Sequence, residues 1–327
     1  MTGRGQRAAP RTRAGLVALC ALVGCGGLCA LGLVAGWCGR AWWVLDLAAH
    51  FRVQQVAGLV CAASGLALLR AWRWSALFLA CALLGGWRLL PYWCAGERPD
   101  AGAAGLRVAS LNVEYGNGDC ERVLRFVRES KADVLLLMEV SRGMLDALEP
   151  ELRAFEHRLE APRDDPFGIA LYARIPMQAE RVDDLGTRRL PAIVAELEFA
   201  GRRVRLVAAH VLPPISSSNA TERDLMIEGA LETLCATSEP GILLGDLNTT
   251  PWAETLDRLA FPRGLRDARL GQGILPSWPA DSLLLRIPID HCLVRGPWQV
   301  AAVRVGQPLG SDHLGLVVEL ALAPAKR

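Results

Sequence analysis

Acidic residues are scarce in the first hundred positions of this 327-residue chain, where only Asp46, Glu97 and Asp100 occur. The same stretch holds ten basic residues, all of them Arg, and long apolar runs that help to raise the hydrophobic content of the chain to 52%. Such a composition is typical of membrane helices rather than of a soluble domain. Because the chain is also longer than one ordinary domain, it predicts a membrane region followed by a soluble domain.

Residues 101–327 lack an excess of basic charge, since 26 basic residues face 31 acidic ones there. A domain with this balance does not have the broad basic face of a strong nucleic-acid binder, although a local basic groove stays open. This part of the sequence also shows no internal repeat.

The soluble part has no Cys-x-x-Cys spacing. Seven of the ten Cys residues lie in or beside the apolar region, where they behave as small hydrophobic residues. Only Cys120, Cys235 and Cys292 remain beyond it. An odd number without paired spacing argues against a structural zinc centre and leaves the redox compartment open.

Three apolar segments within residues 1–95 predict a membrane region of about three transmembrane helices: Ala14–Gly36, Gln55–Ala71 and Trp74–Trp93. The first has 23 residues without a charge, which is enough for one span. Trp residues flank the segments, as in an interfacial aromatic belt. A cleaved signal peptide is the alternative interpretation of the first segment.

The placement of Arg predicts the orientation of this membrane region. Arg residues in the N-terminal tail, together with Arg70 and Arg73, would lie on the cytoplasmic side. With three spans, the soluble domain of this integral membrane protein would lie on the extracytoplasmic side of an inner or plasma membrane. The loss of one weak span would return the domain to the cytoplasm.

The soluble domain is predicted at 106–322, after a linker at 96–105 that is rich in Gly, Ala and Pro. Short apolar runs predict eight strands: Leu106–Leu111, Val134–Met138, Ile169–Tyr172, Ile193–Phe199, Val204–Ala209, Ile242–Leu244, Asp290–Val294 and Leu316–Leu320. Amphipathic patterns predict four helices: Cys120–Ser130, Gly143–Leu152, Thr221–Cys235 and Trp252–Leu259. Many strands with few helices favour a layered α/β (α+β) sandwich over a strict βαβ repeat.

Polar residues recur where these strands stop. They are Asn112, Glu139, His210, Asp246, Asn248, Asp290 and the adjacent pair Asp312 and His313. Each of them alone has a commoner structural explanation as a turn residue, a helix cap or a solvated strand end. The functional prediction therefore rests on the whole set, which occurs at successive strand ends of one chain.

The chemistry of the set is that of a metal-dependent hydrolase. Asn112, Glu139 and Asp312 offer oxygen ligands of the kind that Mg²⁺ or Mn²⁺ prefers. His313 is a candidate general base on water, provided that a carboxylate such as Asp290 orients its ring. These roles suit the hydrolysis of a phosphate ester, in which positioning and charge neutralisation supply most of the catalysis.

The segment GDLN adds two further candidates. In an extended chain, residues i and i+2 project to the same side, so Asp246 and Asn248 are expected to point together while Leu247 points into the core. Asp246 would orient the attacking water, and Asn248 would stabilise a developing negative oxygen. His210 would donate to a phosphoryl oxygen.

Seven segments in this order resemble the endonuclease/exonuclease/phosphatase superfamily, which includes DNase I-like nucleases, inositol-phosphate phosphatases and neutral sphingomyelinases. They are SLNVEYGN, LLLMEV, FGIALYAR, AAHVLPP, GDLNTTP, IDHCLV and GSDHLGLVVEL. The resemblance covers 106–322 and implies a four-layered α/β/β/α sandwich of the DNase I-like type with its site at one edge. It also implies the roles given above: metal ligands at Asn112 and Glu139, a phosphate contact at His210 and an acid at Asp290 that orients the catalytic His. Asp246 with Asn248, and Asp312 with His313, match the two remaining motif pairs, so every expected position is filled.

Three other residues have weaker indications. Trp278 either stacks on a substrate base or packs at the cleft. Arg223 either contacts phosphate or lies on a solvated helix face. His291 follows Asp290 on a strand and should point the opposite way.

The substrate is not determined by these motifs. The favoured interpretation is a membrane-anchored phosphodiesterase or nuclease that uses Mg²⁺ or Mn²⁺. The alternatives are a phospholipid-directed phosphodiesterase or phosphatase, similar to a sphingomyelinase, and a non-catalytic membrane scaffold. The expected partners are a phosphate ester from nucleic acid or a phospholipid head group, and a lipid bilayer; no protein partner is predicted.

Overall fold

The computed structural model describes residues 12–94, 99 and 103–323, in which a helical bundle precedes a two-sheet sandwich. The predicted linker at 96–105 lies largely outside the described residues.

The bundle contains four helices: α1 (Arg13–Trp37), α2 (Trp43–His50), α3 (Arg52–Leu68) and α4 (Trp72–Gly86). Helices α1 and α4 run parallel to each other and antiparallel to α3, whose Ala63 carbonyl accepts a hydrogen bond of 2.8 Å from Ser75 of α4. A small residue also allows α1 to pack closely on α2, since a Cβ added at Gly36 would lie only 2.8 Å from Cα of Ala49.

The helix lengths differ from the three predicted spans. Helix α1 has 25 residues and is long and apolar enough to cross a membrane. The second predicted span is the 17-residue helix α3, which satisfies the same criteria only together with α2, across a bend of 64°. The third breaks after Gly86, so α4 has 15 residues. Within the described residues, length and composition thus support one crossing helix, or two if the bent pair counts as one span.

The sandwich contains twelve described strands and four helices. The strands are β1 (Gly105–Asn112), β2 (Val134–Met138), β3 (His157–Ala161), β4 (Ile169–Ala173), β5 (Met177–Leu185), β6 (Leu190–Phe199), β7 (Arg202–Ala209), β8 (Gly241–Asp246), β9 (Leu265–Asp267), β10 (Asp290–Arg295), β11 (Trp298–Val305) and β12 (Leu316–Leu322). The helices are α5 (Cys120–Ser130), α6 (Arg142–Leu152), α7 (Ser217–Cys235) and α8 (Glu254–Leu259).

The strands form two six-stranded sheets, in the orders β11-β12-β1-β2-β4-β3 and β5-β6-β7-β8-β10-β9. A buried apolar core made from strands of both sheets lies between them. A second core joins the first sheet to α5 and α6, and a third joins the second sheet to α7 and α8. The predicted four-layered α/β/β/α sandwich is confirmed.

All four strands that the sequence did not predict are sheet edges. Strands β11, β3, β5 and β9 are the outer members of the two sheets, whereas every predicted strand is internal. An edge strand is half exposed and carries polar side chains, so it has no continuous apolar run. Strand β5, with the sequence MQAERVDDL, illustrates this pattern.

The pairing of the strands brings the polar strand ends together. Asn112 and Met138 are partners in the parallel pair β1–β2, and Asp246 and Asp290 are partners in the antiparallel pair β8–β10. The close contact of β7 and β8 requires Gly245, because its φ is 142° and an added Cβ would collide with the Ala209 carbonyl oxygen. The sheets therefore place several functional candidates at one edge of the sandwich.

The bundle is docked directly on the sandwich. Asp46 of α2 lies 3.2 Å from Arg223 of α7, and the indole of Trp252 donates a 2.8 Å hydrogen bond to the Ala49 carbonyl. Arg88, just after α4, forms an ion pair with Asp257 of α8. These contacts come from α2 and from the residue just after α4. The sandwich therefore docks on the end of the bundle opposite the α3–α4 connection.

Candidate active site

An oriented Asp-His pair lies at the centre of the site. Nδ1 of His313 is 2.9 Å from Oδ2 of Asp290, and both side chains are buried. Ser311 holds the loop in place, since its hydroxyl donates to the Asn112 carbonyl at 2.7 Å and accepts from the His313 amide at 2.9 Å. Asp290 thus fixes the imidazole and leaves Nε2 turned toward the neighbouring carboxylates.

Electrostatics keep this pair charged. Burial by itself would lower the pKa of His313, but the charge and hydrogen bond of Asp290, followed by the charges of Asp246 and Asp312, raise it to about 10. Burial would likewise raise the pKa of Asp290, but the cationic His313 outweighs it and lowers that pKa below its usual value. The pair is therefore an ion pair at neutral pH.

Asp246 joins the two buried histidines of the site. Its Oδ2 lies 3.7 Å from Nε2 of His313 and 3.6 Å from Nε2 of His210. Burial raises the pKa of Asp246 to about 8; the His313 charge opposes this increase, and the Asp290 charge adds to it. Asp246 thus lies close to the negative charges of Asp290 and Glu139. Such a cluster of acidic side chains favours the binding of a cation.

Asn248 reaches the same place by a different geometry from the predicted extended one. Strand β8 ends at Asp246, and Asn248 has φ 46°, in the left-handed region. Its amide N–H donates to Oδ1 of Asp246 at 2.9 Å, and its side chain donates to the Val211 carbonyl at 2.9 Å. Leu247 is fully buried, as expected. Asp246 and Asn248 are therefore close together, as predicted, but a tight turn brings them together rather than the extended conformation expected from the sequence.

Glu139 and Asn112 form a second contact pair on the other sheet. Nδ2 of Asn112 donates to Oε1 of Glu139 at 2.8 Å, and the amide of Tyr115 donates to Oε2 at 2.8 Å. Glu139 has φ 61°, a conformation that costs energy for a non-glycine residue and is concentrated at functional sites. Its Oε1 lies 3.8 Å from Nε2 of His210, which connects this pair to the Asp246 group.

His210 lies between the two sheets' carboxylates. Its ring packs against Phe167, with 5.4 Å between ring centroids. Burial lowers the pKa of His210, although the Glu139 charge opposes the change. The imidazole is therefore held neutral more readily than that of His313.

Asp312 and Trp278 lie at the rim of the cluster. Asp312 is the most exposed of the candidate carboxylates, and its Oδ2 accepts a 2.8 Å hydrogen bond from the indole N–H of Trp278. The Trp278 ring is half-buried, with its centroid 6.4 Å from that of His313. Trp278 thus packs beside Asp312 and His313 at the exposed rim of the cluster.

Two weaker candidates lie outside the cluster. Arg223 does not lie on a solvated helix face, since its side chain is only 3% exposed. Asp46, Asp224 and Thr255 hold its guanidinium at the interface with the bundle, so it is not available to bind phosphate. His291 is fully buried and points away, with Nε2 2.8 Å from the Thr249 carbonyl oxygen.

A family model described as the Endonuclease/Exonuclease/phosphatase family matches residues 109–313, which span every member of the cluster. The chain belongs to this family. Endonuclease/exonuclease/phosphatase enzymes are phosphoesterases that generally use a divalent metal. The resemblance noted from the motifs is confirmed, whereas no curated protein sequence matches the chain.

Solved structures of the endonuclease/exonuclease/phosphatase fold agree with this family assignment. A family protein from Beutenbergia cavernae shows 20% identity and a TM-score of 0.57, covering 68% of this chain and 72% of its own. D. rerio TDP2 in complex with a single-strand DNA product shows 17% identity and a TM-score of 0.56, covering 66% and 99%. A mannosyl-6-phosphatase from Bacteroides thetaiotaomicron shows 18% identity and a TM-score of 0.56, covering 66% and 100%. At these identities the likeness shows the fold.

The donors of this family member fit a hard divalent cation. Asp246, Asp290 and His313 each offer one ligand atom, all within 4.8 Å of one another, but Asp290 already binds the His313 ring. Glu139 and Asn112 offer oxygens that no histidine engages as closely. A mostly oxygen donor set with several buried carboxylates is what Mg²⁺ or Mn²⁺ prefers, and it would suit zinc less well.

Sequence reasoning missed three supporting residues of the site. Ser311 ties the His313 loop to β1, and Phe167 covers His210. Arg269 donates to the Asp290 carbonyl and pairs with Asp267 at 3.1 Å, which fixes the start of β10. Ser311 stands beside the Asp-His motif and was within reach of motif reasoning. Phe167 and Arg269 act through contacts between segments distant in sequence, for which the pattern carries no signal.

Proposed function

We propose that this protein is a membrane-anchored, divalent-metal-dependent phosphodiesterase. The observation that carries the proposal is the continuous group of side chains at one edge of the sandwich, in which Glu139, His210, Asp246 and His313 follow one another at 3.6–3.8 Å. These separations are too long for direct hydrogen bonds, so the polar atoms stay available to an oxygen of water or phosphate that lies beside them and contacts two neighbours at once.

Asn112 and Glu139, with Asp312 on the open side, would hold Mg²⁺ or Mn²⁺. The bound cation would neutralise charge on the phosphate ester. Asp312 is connected to this pair indirectly, since the hydroxyl of the adjacent Ser311 binds the Asn112 carbonyl. The fit of these oxygen donors to a hard divalent cation supports this assignment.

The other residues of the cluster would move the proton and position the water. Asp290 holds Nδ1 of His313, so Nε2 is the nitrogen that accepts a proton from water. Asp246, 3.7 Å from that nitrogen, would orient a water that lies beside both groups. Because the pKa of His313 is raised to about 10, the imidazole must first lose its proton to act as a base. His210 and Asn248 would donate to the phosphoryl oxygens.

The membrane anchor is supported by the surface of the bundle. Large apolar side chains of α1, α3 and α4 are exposed, among them Leu28 at 73% and Leu83 at 68%. Five Trp residues lie at the end next to the sandwich, and two lie at the other end: Trp37, Trp42, Trp43, Trp87 and Trp93, then Trp72 and Trp74. Aromatic belts at both ends of an apolar surface are typical of membrane bundles.

We further propose that α1, α3 and α4 all cross the bilayer, which would thin locally around the shorter helices. Arg13, Arg70 and Arg73 lie at the bundle end away from the sandwich, where the N-terminal tail adds Arg4, Arg7 and Arg11 in sequence; together they outnumber Arg40, Arg52 and Arg88 at the other end. By the positive-inside rule that end is cytoplasmic, so the sandwich would lie on the extracytoplasmic face of an inner or plasma membrane.

The ester that is cleaved is the open part of the proposal. Nucleic acid is one candidate, since D. rerio TDP2 was crystallised with a single-strand DNA product. A phospholipid head group is the second candidate, and the exposed leucines described below favour it. A non-catalytic scaffold is disfavoured, because the residue types expected for catalysis are all present and their side chains lie together.

A substrate panel tests the proposal. The full chain in detergent micelles would be given plasmid DNA, a single-stranded oligonucleotide, sphingomyelin and phosphatidylinositol, and the soluble probe bis(p-nitrophenyl) phosphate, each with Mg²⁺, Mn²⁺ or EDTA. We expect metal-dependent hydrolysis of the soluble probe and of at least one natural ester. No turnover of any ester, with Mn²⁺ bound, would contradict catalysis and favour the scaffold.

A further inference from the structure

Three consecutive leucines project from the sandwich into solvent. Leu283, Leu284 and Leu285 are 86%, 69% and 55% exposed. The other large exposed hydrophobic side chains in the described part of the sandwich stand singly in the sequence: Tyr115, Val182, Ile215 and Leu225. A contiguous exposed apolar group of this kind marks a surface that meets another apolar phase.

The segment that carries them, residues 279–286, is here called the leucine loop. An isolated bridge between Trp278 and Ile287 closes its base, and the Trp278 amide donates to the Ile287 carbonyl at 3.0 Å. The Arg286 guanidinium folds back and donates to the Pro279 carbonyl at 3.0 Å. The basic side chain is therefore occupied within the loop, and the leucines form its tip.

The base of the leucine loop is bound to the active-site cluster. The amide of Ala280 donates to the Asp312 carbonyl at 2.7 Å, and the amide of Leu314 donates to the Ser277 carbonyl at 2.9 Å. The indole of Trp278 donates to the Asp312 carboxylate. The loop therefore forms part of the rim beside the proposed general base.

The tip of the loop is bound to the bundle. The side-chain amide of Gln54 donates to the carbonyls of Leu284 and Arg286, at 3.1 and 3.2 Å. Gln54 lies in the first turn of α3, at the bundle end that carries the larger group of Trp residues. The three leucines therefore lie at the level where the apolar belt of the bundle reaches its aromatic end.

We propose that the leucine loop inserts into the interfacial region of the lipid bilayer and holds the mouth of the active site against the membrane. The proposal rests on the membrane anchoring proposed above. The polar Asp281 and Arg286 on either side of the leucines confine insertion to the tip. Phosphate esters carried by lipids would then reach the site without leaving the bilayer surface.

Depth-dependent quenching tests the proposal without using activity. An environment-sensitive fluorescent amino acid would replace Leu284 in the full chain, reconstituted in phosphatidylcholine vesicles with nitroxide-labelled acyl chains. Two further positions provide controls: Leu28 on the exposed face of α1, and Val182, which is 42% exposed on the edge strand β5. We expect quenching at positions 284 and 28 to exceed that at 182 at least threefold.

The three positions separate the possible failures. Quenching at 28 but not at 284 would overturn the loop proposal while leaving the anchor intact. Quenching at neither position would overturn both the anchor and the loop. A concentration-dependent dimer that protects 284 without quenching would show that a second copy covers the leucines, and would also overturn the proposal.

A second experiment examines the consequence for substrates. The double variant Leu284→Asp, Leu285→Asp should lower hydrolysis of a vesicle-borne phospholipid at least tenfold, while hydrolysis of soluble bis(p-nitrophenyl) phosphate stays within twofold. The single variant Val182→Asp should change neither rate. Equal losses on both substrates would indicate damage to the site and would contradict a role confined to the membrane.

Discussion

The bundle and the sandwich distribute their side chains in opposite ways. The bundle exposes large leucines along α1 and α4 and buries Asp46, His50 and Arg52, whereas the sandwich buries its apolar strands between two sheets. Both arrangements follow from one rule, since apolar groups leave water whenever another apolar phase is available. The contrast supports the proposed membrane anchor, in which lipid would surround the bundle and water would surround the sandwich.

Buried charged residues of the bundle lie at its junction with the sandwich. Asp46 is almost fully buried, yet it contacts residues of the sandwich: the guanidinium of Arg223 at 3.2 Å and the amide of Glu254 at 3.1 Å. Under the proposed anchoring, this charged residue, which would be unfavourable inside a membrane, lies instead at the junction with the sandwich. The junction, and not only the connecting segment, fixes how the active site faces the bundle.

The largest expected effect is the loss of hydrolysis when the proposed general base in the sandwich is removed. His313→Ala should lower hydrolysis of bis(p-nitrophenyl) phosphate about a thousandfold, because the proposed general base is removed. The rate would be measured on the full chain with Mg²⁺. His157→Ala, on edge strand β3, is the matched control and should stay near the wild-type rate. Retained activity in His313→Ala would exclude the proposed mechanism.

The next prediction compares the stability contributed by a buried ion pair at the junction of bundle and sandwich with that of an exposed ion pair on the sandwich surface. Asp46→Ala should lower the free energy of unfolding by about 3 kcal/mol, because it leaves the buried Arg223 with one partner fewer. The exposed pair Arg128–Glu151 is the control, and Glu151→Ala should cost less than about 1 kcal/mol. Denaturant titration in micelles, followed by Trp fluorescence, measures both. Equal costs would show that the junction does not hold the two regions together.

A third prediction concerns pH and the folded sandwich. The pKa of His313 is about 10 in the folded chain against 6.5 for an ordinary His, so its stabilising effect is complete below about pH 6.5 and is lost as the pH rises to 10. The raised pKa of Asp246, about 8 against 3.8, acts in the same direction between those values. The Tm in EDTA should therefore fall between pH 6.5 and 10.

His313→Gln is the control for this pH dependence, since glutamine keeps a polar side chain that does not titrate. It should flatten the fall of Tm between pH 8 and 10, and a fall as steep as that of the wild type would assign the effect to other groups. Addition of Mg²⁺ should also lower the pKa of His313, which NMR of the ring protons measures, because a cation weakens the surrounding negative field.

The smallest expected effect lies at the rim between the two regions. Trp278→Phe keeps an aromatic ring but removes the hydrogen bond to Asp312. Loss of one such bond, worth about 1 kcal/mol, should lower the rate about fivefold. A loss as large as that of His313→Ala would mean that Trp278 takes part directly in substrate binding.

Much of the fold was predictable because its determinants are local. The apolar runs of β1, β2, β7 and β8 and the amphipathic patterns of α5 and α6 are visible in the sequence. The edge strands were not, because pairing on one side only leaves a mixed pattern without a long apolar run.

The site was predictable to a similar extent. Strand ends indicated Asn112, Glu139 and Asp246. Register brings the end of β1, with Asn112, beside the end of β2 that precedes Glu139, and the packing of the two sheets brings Asp246 of the other sheet close to them. The burial of Arg223 was not predictable, since it depends on docking of the bundle more than 170 residues earlier in the sequence. The left-handed turn at Asn248 was also missed, because an Asx turn and an extended strand end share the same residue types.

The most direct test of the central claim is the Mg²⁺ dependence of hydrolysis by the wild-type chain and by Glu139→Gln, measured together on bis(p-nitrophenyl) phosphate. We expect saturable activation of the wild type, no turnover in EDTA, and at least a tenfold higher Mg²⁺ requirement in the variant. Full activity of the wild type in EDTA, or identical Mg²⁺ curves for the two proteins, would contradict the claim.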